Sequence, residues 1–177
     1  SQTDGLTRIA NRHHFQAVFH KEWARLAREQ KPLAILLCDL DAFKQYNDSY
    51  GHLAGDVCLQ QFAAVINASI NRSTDLAARY GGEEFILLLP NTDVQGLRTV
   101  DERIRQRLAE KALPHGSSWV DPFVTYSAGG IVTLPHGERR PQSLIAQADD
   151  ALYKAKGRGR NCSVIEPCHS SPTWRIG

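Results

Sequence analysis

Two short acidic stretches carry the densest chemistry in this 177-residue sequence. The first is Cys38-Asp39-Leu40-Asp41, where carboxylates stand at i and i+2 directly after the aliphatic run from Leu33. A strand's two-residue period places both on one face. A buried carboxylate without a partner is expensive, so the pair calls for a cation, a donor, or a helix to cap, which Asp41 could do. The second is Arg79-Tyr80-Gly81-Gly82-Glu83-Glu84-Phe85. Gly81 and Gly82 permit close backbone approach to a ligand, and Glu83 and Glu84 could share a hard cation with Asp39. Alone, the first stretch reads equally as a helix-capping acid, and the second reads better as a solvated acidic turn. Together they suit Mg²⁺ (or Mn²⁺), which takes few carboxylates and completes its shell from water and phosphate. Two such ions at one active half-site would activate a hydroxyl and neutralise a triphosphate in a single in-line displacement.

Between the acids runs a polar segment, Phe43-Lys44-Gln45-Tyr46-Asn47-Asp48-Ser49-Tyr50-Gly51-His52-Leu53-Ala54-Gly55-Asp56. Lys44 offers a phosphate a point charge. The amide of Asn47 and the carboxylate of Asp56 suit guanine, whose Watson–Crick edge carries adjacent donors. His52 is a weaker candidate, and the plain alternative for the whole segment is a connecting loop with Asp56 near a helix start. Lys154, Lys156, Arg158 and Arg160 crowd the end of the last expected helix. A helix dipole accounts for such a cluster, and phosphate binding by Lys156 and Arg160 is the functional alternative. No G-x-x-x-x-G-K-[ST] loop is present, and Gly157-x-Gly159 follows a helix rather than a strand, which speaks against a dinucleotide fold.

The elements that must position these residues follow from periodicity. Helical spacing runs over 11–30, 54–70 and 93–113, and Pro141 suits the first turn of a helix to about Lys156. Strand patterns cover 33–38 and 123–134, with a short one at 162–165. Residues 76–89 read as a hairpin turning at Gly81-Gly82. The hairpin breaks a purely parallel scheme, so a mixed sheet flanked by helices is expected. The chain carries 21 Lys plus Arg against 19 Asp plus Glu and no apolar run of membrane-spanning length. That balance argues against a nucleic-acid polymer as partner. Nothing in Cys38, Cys58, Cys162 and Cys168 demands disulfides, which points to the reducing cytoplasm. The chain opens at Ser1 and contains no methionine, which predicts a piece of something longer. A domain over 1–166 is expected, with a loop-like, flexible tail over 167–177.

The motifs also add up to a known family. The chain resembles the GGDEF domain of bacterial diguanylate cyclases, in a Gly-Gly-Glu-Glu-Phe form at 81–85. Asp4-Gly5-Leu6-Thr7 with Asn11-Arg12 is similar to the entry motif, and 39–56 to the metal and guanine segment. Val124 to Gly129, Ala148 to Lys156 and Gly159-Arg160-Asn161 resemble the later strand, helix and turn. Arg8 departs from the family, which usually has Gly there.

The resemblance implies an α+β, palm-like, ferredoxin-related fold with a mixed or antiparallel sheet flanked by helices, as in nucleotide cyclases. It implies condensation of two GTP into cyclic di-GMP with release of two pyrophosphates. Asp39, the Leu40 carbonyl and Glu83 or Glu84 would hold the metal, and Glu83 is favoured to help deprotonate the ribose 3′-hydroxyl. Lys44, Lys156 and Arg160 would bind phosphate, and Asn47 and Asp56 guanine, with Phe43, His52, Gly81 and Gly82 lining the site. Arg72-x-x-Asp75, with Arg103, stands where the family binds inhibitory product. Two nucleotides attacking one another need two pockets, so a two-fold homodimer is implied. An upstream sensory or receiver module is a common family companion. The alternatives are a receptor holding GTP or cyclic di-GMP without turnover, and another palm-type cyclase or polymerase.

Overall fold

The computed structural model describes residues 1–169. Among them the order is α1 (Arg12–Glu29), β1 (Leu33–Leu40), α2 (Phe43–Tyr50), α3 (His52–Ser69), β2 (Leu76–Gly81), β3 (Glu84–Pro90), α4 (Val94–Lys111), β4 (Tyr126–Thr133), α5 (Pro141–Gly157) and β5 (Ser163–Pro167). The strands form one mixed sheet in the order β2-β3-β1-β4-β5. β1 is central and antiparallel to both neighbours, whereas β5 joins β4 in parallel. This is the α+β, cyclase-like arrangement that the motifs imply.

Period-two alternation along β1 divides the core. Ala34, Leu36, Cys38 and Leu40 pack with α3 and α4, while Leu33, Ile35 and Leu37 pack with α1 and α5. β1 is buried along its whole length, which explains why its sequence is a continuous apolar run rather than an alternating one. Asn11 caps α1 by accepting from the His14 amide, and Asp93 caps α4 by accepting from the Gly96 amide. Pro141 opens α5 as expected. Both Cys38 and Cys58 are buried free thiols. Burial pushes the Cys58 thiol up to about 12.

Three expectations need correction. The segment 43–56 is not a loop: α2 occupies its first half, and α3 starts at His52 rather than Ala54, with Gly51 at φ +91° between them. The hairpin turns on Gly82 and Glu83 rather than on Gly81-Gly82, since Gly81 still belongs to β2 and Gly82 has φ +50°. Tyr126, not residue 123, begins β4.

At the other end, Pro167 closes β5, the Cys168 amide donates to the Val132 carbonyl, and the His169 amide to Gln147 Oε1. The rest of the expected tail lies outside the described residues. Arg8 adopts φ +66°, a left-handed conformation suited to the glycine expected there. No helix among the described residues is long and apolar enough to cross a membrane.

Candidate active site

The acids converge at one end of the central strands because β1 is paired with β3 of the hairpin. Asp39 lies directly opposite Glu84 in the β1–β3 ladder, and the Leu40 amide donates to the Glu83 carbonyl at 3.3 Å. Asp39 is 8 % exposed, and Glu83 and Glu84 are half-buried. Lys156, in the last turn of α5, donates from Nζ to Asp39 Oδ2 at 2.5 Å.

Burial raises the Asp39 carboxyl above its ordinary range; Lys156 opposes this, and Glu83 and Asp41 add to it. Glu84 is raised by burial and then by Asp39, against the pull of Lys156. Such mutually repelling oxygens fit a hard divalent cation. No three His, Cys, Asp or Glu side chains among the described residues converge closely enough to hold a metal ion by themselves. The donor set therefore fits an ion that takes two carboxylates and fills its shell from backbone carbonyl, water and phosphate oxygens.

Asp41 has a different task from Asp39. It does not cap α2, whose N-cap is Ala42 in a left-handed conformation without a side-chain bond. Instead it accepts from Thr125 Oγ1 at 2.8 Å, Ser127 Oγ at 2.6 Å and the Asn161 amide at 3.0 Å. Three donors satisfy a buried carboxylate. They also tie the end of β1 to the start of β4 and to the turn holding Arg160.

Asn47 lies on α2 and Asp56 on α3, and α2 packs on α3 beside the residue that precedes Asp56. The Asn47 side chain lies against Gly55, where an added Cβ would sit 1.7 Å from Asn47 Oδ1. That oxygen is buried without a hydrogen-bond partner among the described residues. Phe43 and Tyr46 stack nearly parallel, with centroids 6.2 Å apart. Lys44 is exposed and pairs with Asp48 at 3.6 Å, and His52 and Leu53 open α3 on the surface. Arg160 stands over the Trp119 ring, 5.4 Å from its centroid, rather than against the acids.

The family model for the diguanylate cyclase GGDEF domain matches residues 1–162. The chain belongs to the GGDEF family. It is similar to diguanylate cyclase A of Treponema denticola, at 37 % identity over 162 residues, covering 90 % of this chain and 43 % of that protein. The chain spans about half or less of the length of the curated relatives it matches. It is also similar to the active GGEEF domain of a diguanylate cyclase from Vibrio cholerae. That match has 36 % identity and a TM-score of 0.78 over 92 % of this chain and 99 % of that one. The GGDEF domain of DgcB from Caulobacter crescentus, solved in complex with c-di-GMP, matches at 32 % identity and a TM-score of 0.83. The shares are 93 % of this chain and 95 % of that one.

Within this GGDEF domain Arg72, Asp75 and Arg103 line a single cleft of about 430 Å³, together with Asn91 and Thr92. Arg72 Nη2 donates to the Pro90 carbonyl at 2.8 Å and to Thr92 Oγ1, and lies 3.4 Å from Asp75 Oδ1. Arg103 Nη1 donates to the Ser69 carbonyl at 2.6 Å. The cleft thus presents two guanidiniums on rigid backbone anchors.

Sequence reasoning assigned no task to Arg79, which braces the acidic turn of the GGDEF domain. Its Nε donates to the Gly82 carbonyl at 3.0 Å, and its Nη1 lies 3.4 Å from Asp4 Oδ2. Asp4 also accepts from the Thr7 amide and hydroxyl. Burial raises the Asp4 carboxyl, but the Thr7 bonds and Arg79 outweigh it and hold the group below its usual value. An arginine two residues before Gly-Gly was the available signal, but its reach back to the entry motif spans a separation of 75 positions. His115, buried with Nε2 2.8 Å from the Ala42 carbonyl, gave no signal at all.

Proposed function

We propose that this GGDEF domain is an active cytoplasmic diguanylate cyclase domain that condenses two GTP into cyclic di-GMP with release of two pyrophosphates. The observation carrying the reading is Asp39 opposite Glu84, with the Lys156 ammonium seated on Asp39. In this reading Asp39, Glu84 and the Leu40 carbonyl hold Mg²⁺ or Mn²⁺, with Glu83 as the further ligand at the turn. The bound cations supply charge neutralisation for the triphosphate and acidify the attacking hydroxyl.

Glu83 sits at the hairpin tip, one residue from the Glu84–Asp39 pair, which suits it to take the proton from the ribose 3′-hydroxyl. Lys156 neutralises Asp39 and stands where a phosphate beside that carboxylate would meet an ammonium. Lys44, exposed at the start of α2, and Arg160 are the remaining phosphate cations. Asn47 Oδ1, buried and unpaired, suits a guanine N–H donor, with Asp56 taking the second. Phe43, His52, Gly81 and Gly82 line the approach. Because one domain offers one such site, catalysis needs two copies facing each other across a two-fold axis. The cleft of Arg72, Asp75 and Arg103 is assigned to inhibitory cyclic di-GMP, since guanidiniums pair with both phosphate and guanine edges.

The test is incubation with GTP and Mg²⁺ followed by mass analysis. The expected products are the cyclic dinucleotide and two pyrophosphates, and neither forms with Glu83→Ala or Glu84→Ala. Absence of product from the unsubstituted chain, with GTP still bound, would replace the cyclase by a nucleotide receptor.

A further inference from the structure

The loop between α4 and β4 is fastened to the nucleotide site at two separate places. His115 donates from Nε2 to the Ala42 carbonyl at 2.8 Å, the Gly116 amide donates to Tyr50 Oη at 2.9 Å, and Ser117 Oγ donates to the Gln45 carbonyl at 3.2 Å. These bonds run along α2, the helix that carries Lys44 and Asn47. The His115 amide donates to the Pro122 carbonyl at 2.8 Å, and Pro114 pairs with Phe123, so the loop closes on itself. At its tip stands Trp119, 60 % exposed, with the Arg160 guanidinium over its ring.

Arg160 comes from a different element, the turn after α5, where it and Asn161 are both left-handed and the Asn161 amide is held by Asp41. Its backbone is therefore fixed, while its long side chain is steered by the indole face. A guanidinium over an aromatic face keeps its N–H edges free for an anion, because the ring engages only its plane.

We infer that Trp119 is a positioning residue for Arg160. The indole holds the guanidinium at a set place relative to α2, so the phosphate-binding arginine and the base-reading helix present to the nucleotide as one unit. This rests on the proposed reading of Arg160 as a phosphate ligand. The loop's fastening to α2 uses backbone and hydroxyl groups and the buried His115 rather than Trp119, so replacing the exposed indole leaves those bonds in place.

The test is calorimetric titration of the chain with a non-hydrolysable GTP analogue and Mg²⁺. Trp119→Ala is expected to weaken binding about two- to fivefold, the range of an exposed cation–π contact. Trp119→Phe, which keeps an aromatic face, is expected to recover most of the loss. The double variant Trp119→Ala/Arg160→Ala is expected to bind no more weakly than Arg160→Ala alone. Weakened binding in Arg160→Ala with none in Trp119→Ala would overturn the positioning role and leave the phosphate assignment standing. Additive losses in the double variant would overturn it too, since Trp119 would then act independently of Arg160. No loss in Arg160→Ala would overturn the phosphate assignment and the inference together.

Discussion

At the scale of single residues, the site is a balance between carboxylates that repel and one ammonium that does not fully offset them. Asp39 and Glu84 both have raised pKa values, with burial the main cause. A carboxyl whose folded value lies above its unfolded one favours the folded state at acid pH, and that contribution fades as pH rises through the folded value. Near neutral pH the cation-free domain therefore carries a penalty from these two groups. Glu84→Gln is expected to raise the melting temperature in chelator near neutral pH, with the gain shrinking at acid pH, while product formation is lost. Melts of the two proteins across pH check this, and a lowered melting temperature near neutral pH would show that Glu84 is not under strain. Asp39 and the glutamates were legible in sequence because carboxylates beside an apolar strand need partners. The task of Asp41 was not, because its three donors come from residues 84 to 120 positions away.

At the scale of elements, the decisive contact is the seating of α5 on β4. A Cβ at Gly129 would lie 2.1 Å from the Ala148 carbonyl oxygen and 2.3 Å from the Leu152 amide nitrogen. Both are helix backbone atoms, which cannot rotate aside, so α5 would have to lift from the sheet. Gly129→Ala is expected to cost about 1–3 kcal/mol in chemical denaturation, the usual range for an overpacked core. GTP turnover should fall further than stability accounts for, because Lys156 rides on the same helix. Gly157→Ala is the comparison: a Cβ there meets nothing within 4 Å, and a change within about 0.5 kcal/mol is expected. An equal response from both variants would remove the close approach as the cause. The long helices and the hairpin were readable because their apolar faces recur at helical or strand period. α2 was not: none of its eight residues is fully buried, and its one stripe, Phe43, Tyr46 and Tyr50, is short, partly exposed and set among polar residues.

At the scale of the whole molecule, the proposed condensation of two nucleotides, with one site per chain, would require a second copy. Specific activity is expected to rise with protein concentration, and activity strictly proportional to concentration where only monomer sediments would contradict the two-fold assembly. The cleft of Arg72, Asp75 and Arg103 lies away from the acids, between the α3–β2 loop, the segment after β3 and α4. Arg72→Ala is expected to weaken cyclic di-GMP inhibition roughly ten- to a hundredfold, the scale of a lost charged hydrogen bond. Initial rates before product accumulates should change far less. Inhibition curves with added cyclic di-GMP decide this, and an unchanged curve would remove the cleft as the inhibitory site.

The residue types and their spacing determined by themselves that this chain builds a mixed sheet with helices and that acids, glycines and terminal cations belong to one family pattern. Local chemistry suffices for that, since periodicity and turn preferences act over a few residues. Only the tertiary structure decided that Lys156 sits on Asp39, that Arg79 braces the Gly82 carbonyl from the side of Asp4, and that Trp119 meets Arg160. Apart from the local Arg79–Gly82 bond, those contacts (Lys156 with Asp39, Arg79 with Asp4, Trp119 with Arg160) join positions 41 to 117 residues apart, and which side chains meet at such separations is set by strand order and helix seating rather than by any local preference.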